Sequence, residues 1–477
     1  MAQTDTQSIL QRIREDYADA YETMTWLTPE QAARAARTRE ALIQDIFKHA
    51  GKGPQWRFAG TKLTTHGISP GCLFCGRGEW SCLFINGICN ARCFYCPSVQ
   101  DQKGHPMTST LEFRTPEEYV DYVEKFGIQA VSFSGGEPLM TFDRVVQYLK
   151  VLRAKISRPL YIWMYTNGLL VTGDKLKTLA ENGLNEIRFD ISADRYRLDA
   201  LKKAVGVIPC VTVEIPAIPE DLEQTKQVIR QLHDEGVNFL NLHQIRCTRF
   251  NLPKLIQRGY TFLHGPKVTV LETELTALEL IRYTLDQSIA LPVNYCSFTF
   301  RHQFQRAGAL NRNARLIKSP HQGITLTGHI RTLGISGDPA AVQRVHAHLQ
   351  AVEPDTALWE VSSKKDRLMF HDTLWPKIDF TGLTLEVSYT ATSLKSHVSL
   401  RHAFREIPLN PEKKVVIEKY PAHPVIRLTG DNIVEFGRRY VTSGIDGPQD
   451  DGVPSIGRET DGFEKFERFD SGLSRYY

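Results

Sequence analysis

An α/β fold is what this sequence predicts: a partial barrel of six βα units, with a helical segment before it and an α+β domain after it. Three observations point there. From about residue 81 to 250, short apolar runs of strand length alternate with longer amphipathic stretches. Polar and glycine-containing turns follow several of those runs, at the strand ends where such a sheet places its chemistry. Beyond residue 320 strands and a helix continue without glycine-rich turns.

Taken in order, residues 1–58 carry helical patterning. Ile9, Leu10, Ile13 and Tyr17 make one apolar stripe, and Thr28-Pro29-Glu30-Gln31 reads as an N-cap with Pro at the first helical position. Two or more helices are expected there, packed as a cap on the main domain. Residues 59–88 form a cysteine-rich segment leading into the first strand. The barrel is assigned to 81–250, with strands at 81–87, 129–134, 160–166, 186–192, 211–217 and 239–245. Parallel crossovers of this kind either form an open doubly wound sheet or roll into a barrel, and chemistry at successive strand ends favours the partial barrel. Residues 251–319 extend it with the helix TELTALELIRYTLDQS and Cys296. Residues 320–443 make the α+β domain, and 444–477, rich in Gly, Asp and Pro, make an irregular tail.

The chain has 477 residues, of which 42% are hydrophobic and 10% aromatic, enough to bury a large core in two or three domains. A formal charge of +4, with scattered Lys and Arg, calls for neither nucleic acid nor an anionic membrane as partner. No stretch approaches the roughly 20 apolar residues of a membrane span, and MAQTDTQSILQRIRED lacks the apolar core of a signal peptide, so a cytoplasmic location is expected. Six of the nine cysteines lie in one short segment: Cys72, Cys75, Cys82, Cys89, Cys93 and Cys96. An odd count without an export signal points to metal-binding thiols rather than disulfides.

Directly after the first strand comes Cys89-Asn-Ala-Arg-Cys93-Phe-Tyr-Cys96, a C-x3-C-x2-C spacing. Three thiolates on a tight loop can each take one iron of a cubane, which leaves the fourth iron open to an outside ligand. Ser134-Gly135-Gly136-Glu137-Pro138 ends the second strand and Tyr165-Thr166-Asn167-Gly168 the third; Asp190 and Ser192 end the fourth, and Glu214 lies on the fifth.

Together, in this order, these residues resemble the radical S-adenosylmethionine (SAM) superfamily, and within it the pyruvate formate-lyase activating-enzyme-like and peptide-modifying members. The resemblance covers roughly residues 80–250. It implies a [4Fe-4S] cluster on Cys89, Cys93 and Cys96, with S-adenosylmethionine chelating the open iron and cleaved reductively to a 5′-deoxyadenosyl radical. It also implies that Tyr95 contacts the adenine and that Ser134, Gly135, Gly136, Glu137 and Pro138 hold the methionine end. Thr166 and Asn167 belong to the same binding surface, and Asp190 and Ser192 reach the ribose. The glycines would let backbone approach the ligand, and Glu137 its ammonium group. The substrate implied is a peptide or protein, with a small-molecule biosynthetic intermediate as the alternative and a non-catalytic metal-binding scaffold as a third reading; flavodoxin or ferredoxin would donate electrons. The cysteine-rich C-terminal extension of many peptide modifiers is absent, since no cysteine follows Cys296. No segment announces a cobalamin domain.

Upstream, Gly71-Cys72-Leu-Phe-Cys75-Gly76 and Cys82 form a second group. A fourth partner would be Cys296 first or Cys247 second. Four ligands would make a structural zinc, a mononuclear iron or a closed auxiliary cluster; three would hold a [4Fe-4S] cluster with an open iron. Iron ranks above zinc, because the chain already loads a cluster next door. Cys82 also reads as a buried strand thiol, and Cys210 as structural. His243 and Gln244, at the end of the sixth strand, are candidates to face the substrate or to sit in the core. Arg301, Arg306, Arg312 and Arg315 would either clamp an anion or line a solvated helix face.

Overall fold

The computed structural model describes residues 2–49, 53–442 and 463–476. Of the expected irregular tail, residues 444–462 lie outside the described residues. Two units emerge: Met1–Gln305 with Ser471–Tyr477, and Arg306–Gln449 with Ile456–Asp470, each taken here over its described residues.

The first unit opens with helices α1 (Ala2–Asp16) and α2 (Pro29–Phe47). Thr28 caps α2: its hydroxyl accepts from Gln31 N–H at 3.2 Å and Gln31 Oε1 accepts from Thr28 N–H at 2.9 Å, with Pro29 following in the first turn. Strands β1 (Gln55–Arg57) and β2 (Lys62–Thr64) and the short helix α3 (Pro70–Gly76) lead into β3 (Trp80–Ile88). Then come β4 (Ala130–Gly135), β5 (Tyr161–Thr166), β6 (Glu186–Phe189), β7 (Cys210–Pro216) and β8 (Phe239–His243), joined through helices including α4 (Phe142–Lys155) and α5 (Leu222–Asp234). Each pairs parallel to the one before it. A further parallel strand, β9 (Val293–Cys296), follows β8, and β2 and β1 extend that side antiparallel. Cys296, expected in a barrel extension with a helix, thus ends a strand of the sheet itself. Short antiparallel strands extend the β3 side, and the two ends of the sheet do not pair, so it stays open as a partial barrel.

Period-two alternation sorts the side chains of this sheet. Ile162 and Met164, Ile187 and Phe189, Val213 and Ile215, and Leu240 and Leu242 are all buried on one face. Helix α5 adds Val228, Ile229 and Leu232 to the core, each such side chain contributing about 1.5–3 kcal/mol. The opposite face carries Trp163 and Tyr165, Glu186 and Arg188, Thr212 and Glu214, Asn241 and His243, and Asn294 and Cys296. That polar face is where the functional side chains collect.

The second unit is built on an antiparallel sheet around β10 (Ile330–Gly337) and β11 (Leu383–Lys395), with helix α6 (Pro339–Val352) against it. Its core includes Leu333, Ile335, Val342, Leu349, Phe370, Leu385 and Val387. Helix α7 (Arg306–Ile317) belongs here too, whereas the sequence had assigned it to the barrel extension. Thr392 on β11 donates to Leu310 O at 3.5 Å and Lys419 to Ile317 O at 2.9 Å. An amphipathic stripe shows that a helix has a core, not which core. Residues 463–470 return to this unit, where buried Glu467 accepts from Arg331 at 2.9 Å and from Tyr389 at 2.6 Å. Among the described residues no helix is long and apolar enough to cross a membrane.

Candidate functional site

At the C-terminal end of β3 the chain turns through Cys89, Cys93 and Cys96. Donors converge on the sulfurs: Ala91 N–H (3.4 Å) and Asn167 Nδ2 (3.7 Å) on Cys89 Sγ, Gln100 Nε2 (3.0 Å) on Cys96 Sγ, and the Tyr95 hydroxyl on Cys93. Such donors favour thiolate, whereas burial opposes it and pushes the Cys93 thiol up to about 12. The three thiols sense one another electrostatically. Among the described residues, however, no three His, Cys, Asp or Glu side chains converge tightly enough for a single metal ion. Separate but neighbouring thiols, with hydrogen-bond donors to sulfur, fit the corners of an iron–sulfur cubane better than the shell of one ion.

Beside this loop, Gly135 takes a positive φ of 122°. A Cβ at Gly135 would overlap Asn86 O, and one at Gly136 would overlap Ile88 O. Here the glycines admit the end of β3 itself, a constraint the sequence reading had assigned to the ligand. Gly136 N–H donates to Asn86 O at 3.0 Å and Glu137 N–H to Ile88 O at 2.7 Å. Ser134 hydrogen-bonds Cys82, and Pro138 begins a 3₁₀ turn.

Glu137 is 1% exposed, and its carboxylate accepts from Leu139 N–H (3.0 Å), Thr166 Oγ1 (2.9 Å) and Asn167 N–H (2.7 Å). Burial raises its pKa, and these donors work against that rise. Glu137 therefore joins the turn after β4 to the turn after β5. Asn167 carries the connection on, donating to Asn90 Oδ1 at 2.8 Å as well as to Cys89.

Tyr95, Asp190 and Ser192 also meet. Tyr95 donates to Asp190, and Ser192 donates to Asp190 Oδ1 at 2.6 Å. Burial raises the pKa of both Tyr95 and Asp190. The Tyr95 ring is itself buried, and its hydroxyl is shared among Asp190, Ser192 and the Cys93 thiol.

A buried charge network on the polar face was not picked out in the sequence. Arg188, 3% exposed, donates to Glu186 at 2.8 Å, Glu214 at 2.7 Å and Ser69 at 2.9 Å, and lies over the Trp163 ring at 5.0 Å. Burial works against both charges, yet Arg188 holds Glu214 below the usual carboxylate range. Removing one partner of such a buried network costs about 3–5 kcal/mol. The signal was the alternation Glu186-x-Arg188-x-Asp190, which puts charge at every second position along a buried strand and at its end.

The second cysteine group sits on this polar face. Ser69 caps α3, accepting from Cys72 N–H at 3.2 Å, and the helical spacing puts Cys72 and Cys75 on one side. Gly71 brings α3 onto the sheet, since a Cβ there would collide with Arg188. Asn241 Nδ2 donates to Cys72 Sγ at 3.4 Å and Gln305 Nε2 to Cys75 Sγ at 3.2 Å. Cys75 senses Cys296, Lys62 and Cys72.

Other cysteines have different partners. Cys82, grouped with Cys72 and Cys75 in the sequence reading, shares the polar face but is hydrogen-bonded to Ser132 and Ser134 of the neighbouring strand β4. Cys247 is buried beside Tyr17, and Cys210 lies 3.8 Å from Thr212 Oγ1. His243 is held neutral, its pKa lowered to about 4 by burial and then by Arg301. Gln244 is a core residue, donating to Thr269 and Val270 and accepting from Phe298 N–H. Arg301 donates to Gln244 O at 2.9 Å, whereas Arg306, Arg312 and Arg315 belong to the second unit.

Residues 83–242 match the family model of the radical SAM superfamily. A protein of Methanocaldococcus jannaschii named as a glycyl-radical enzyme activating enzyme is 28% identical over 273 residues, 55% of this chain and 72% of that protein. A GTP 3′,8-cyclase of Lactiplantibacillus plantarum is 35% identical over 125 residues, but these are 25% of this chain and 35% of the cyclase. Among solved structures, SuiB of Streptococcus suis aligns with 14% identity and a TM-score of 0.31, covering 45% of this chain and 48% of that one.

Proposed function

Residues 83–242 form a radical SAM domain, and on that premise we propose that Cys89, Cys93 and Cys96 hold its [4Fe-4S] cluster and that the chain abstracts hydrogen from a peptide or protein. When bound, cluster and S-adenosylmethionine supply a 5′-deoxyadenosyl radical, and the protein's work is to orient and shield it. The observation that carries the reading is the link from Cys89 through Asn167 to Glu137, which ties the cysteine loop to both ligand-binding turns. Glu137 and Tyr95 act in it as positioning residues, each with its polar atoms bound within the protein. Free cysteines throughout suit a reducing, cytoplasmic setting and an electron donor of the flavodoxin or ferredoxin class.

The name of the M. jannaschii relative, an enzyme that activates another enzyme, supports a protein substrate. The segment shared with GTP 3′,8-cyclases favours the second reading, the same chemistry on a small biosynthetic intermediate. The upstream cysteines are read as a second metal site. Anaerobic reduction with S-adenosylmethionine tests the first claim: 5′-deoxyadenosine forms, and the Cys93→Ala variant makes none. A wild-type protein that loads iron but releases no 5′-deoxyadenosine is a scaffold. With labelled S-adenosylmethionine, hydrogen transferred from a peptide pool rather than a metabolite pool decides the substrate class.

A further inference from the structure

Lys62 is fully buried, and its ammonium has no hydrogen-bond partner. It lies directly opposite Cys296 across the β2–β9 pair, so the two side chains share a face. The groups that its charge senses are Cys296, Cys72, Cys75 and Glu214, and the Phe300 ring lies 4.4 Å from its Nζ. An ammonium left alone in such a place is strongly disfavoured, so the site calls for a buried negative charge beside it. The Glu214 carboxylate is taken by Arg188 and Asn241, and neutral thiols do not supply a negative charge. Metal-bound thiolates do.

We propose that Cys72, Cys75 and Cys296 hold a second iron–sulfur cluster, with Lys62 as its counter-charge. This rests on reading the upstream cysteines as a metal site and is independent of the substrate class. By register Cys82 and Cys210 share this face, but the thiols that sense one another and Lys62 are Cys72, Cys75 and Cys296. Cys82 is engaged by Ser132 and Ser134, Cys210 neighbours Thr212 and Glu186, Cys247 is buried beside Tyr17, and the remaining thiols belong to the loop at Cys89–Cys96. Asn241 and Gln305 each point an amide at one of the three sulfurs, the donors that steady a thiolate. A structural zinc site takes four protein ligands that converge on one ion, and among the described residues no three His, Cys, Asp or Glu side chains converge in that way. One iron of the cluster is therefore without a cysteine.

Iron and sulfide counts on the anaerobically purified full chain test this. Wild type should hold about eight irons, and both Cys89→Ala/Cys93→Ala/Cys96→Ala and Cys72→Ala/Cys75→Ala/Cys296→Ala about four, whereas Cys82→Ala keeps about eight. About four irons in wild type, or zinc retained by the first triple variant, overturns the second cluster. Failure of the radical SAM reading looks different: the first triple variant would then keep all the iron of wild type. Lys62→Met gives a readout that does not depend on a triple variant folding. Losing the cation disfavours the reduced cluster, so its reduction midpoint moves to more negative potential. An unchanged midpoint with the iron in place removes Lys62 from the assignment.

Discussion

The Tyr95 hydroxyl donates to both carboxylate oxygens of Asp190, at 3.0 and 2.9 Å, with Ser192 Oγ 2.6 Å away. Tyr95 comes from the cysteine loop and Asp190 from the end of β6, so this contact fixes the loop to the sheet. Tyr95→Phe keeps the ring and strips the donor from a buried carboxylate, at a cost of about 1–3 kcal/mol in chemical denaturation. Iron content should hold while 5′-deoxyadenosine forms more slowly. A variant as stable and as fast as wild type would show that the contact positions nothing.

Glu137 makes a similar prediction between two turns. Glu137→Ala leaves Leu139 N–H and Asn167 N–H without their buried acceptor, a loss of about 2–4 kcal/mol. Affinity for S-adenosylmethionine should fall at least about tenfold, equivalent to about 1.4 kcal/mol, because the two turns lose their common tie. Equilibrium binding by calorimetry reads this directly, and unchanged affinity in a folded variant would separate Glu137 from the ligand surface.

Gly136→Ala places a methyl group on Ile88 O, a backbone atom that cannot swing aside. We expect a loss of more than about 2 kcal/mol in thermal or chemical unfolding. Gly173→Ala is the matched control: nothing lies within 4 Å of the added atom, and the position begins the helix Gly173–Glu181. That change should be neutral or slightly stabilising.

Acid sensitivity of the second unit should centre on His329. Its Nδ1 lies 2.9 Å from Thr327 Oγ1, its Nε2 is buried without a partner, and burial, followed by Arg306, lowers its pKa to about 4. The unfolded side chain titrates near about 6.5, so between those values the unfolded state binds the extra proton. Stability is therefore fully present above about 6.5 and is lost as pH falls toward about 4. From pH 7.5 to pH 5 the loss is about 2 kcal/mol. His329→Gln should flatten that part of the denaturation profile; an equal slope in both proteins would place the acid sensitivity elsewhere.

Local spacing was enough to read the cysteine loop, the two turns after β4 and β5, and the order of the βα units. Cys89, Cys93 and Cys96 sit on one short turn, and Gly135-Gly136 marks a close approach whatever it admits. Strand order, by contrast, is not written in local spacing, and it decides which thiols are neighbours. Cys82 follows Cys75 closely in the chain, yet β3 holds it beside Ser132 and Ser134 of β4, while Cys296, more than two hundred residues away, comes to Cys75 because β9 joins the sheet beside β2.

The sequence by itself thus determined the fold class and the chemistry of the loop, because both depend on contacts between near neighbours in the chain. Only the tertiary structure decided that Lys62 faces three thiols, that Arg188 binds Glu186, Glu214 and Ser69, and that helix α7 packs in the second unit. Those contacts join strands and helices distant in sequence, and their geometry is set by sheet order and register, which no local pattern of residues encodes.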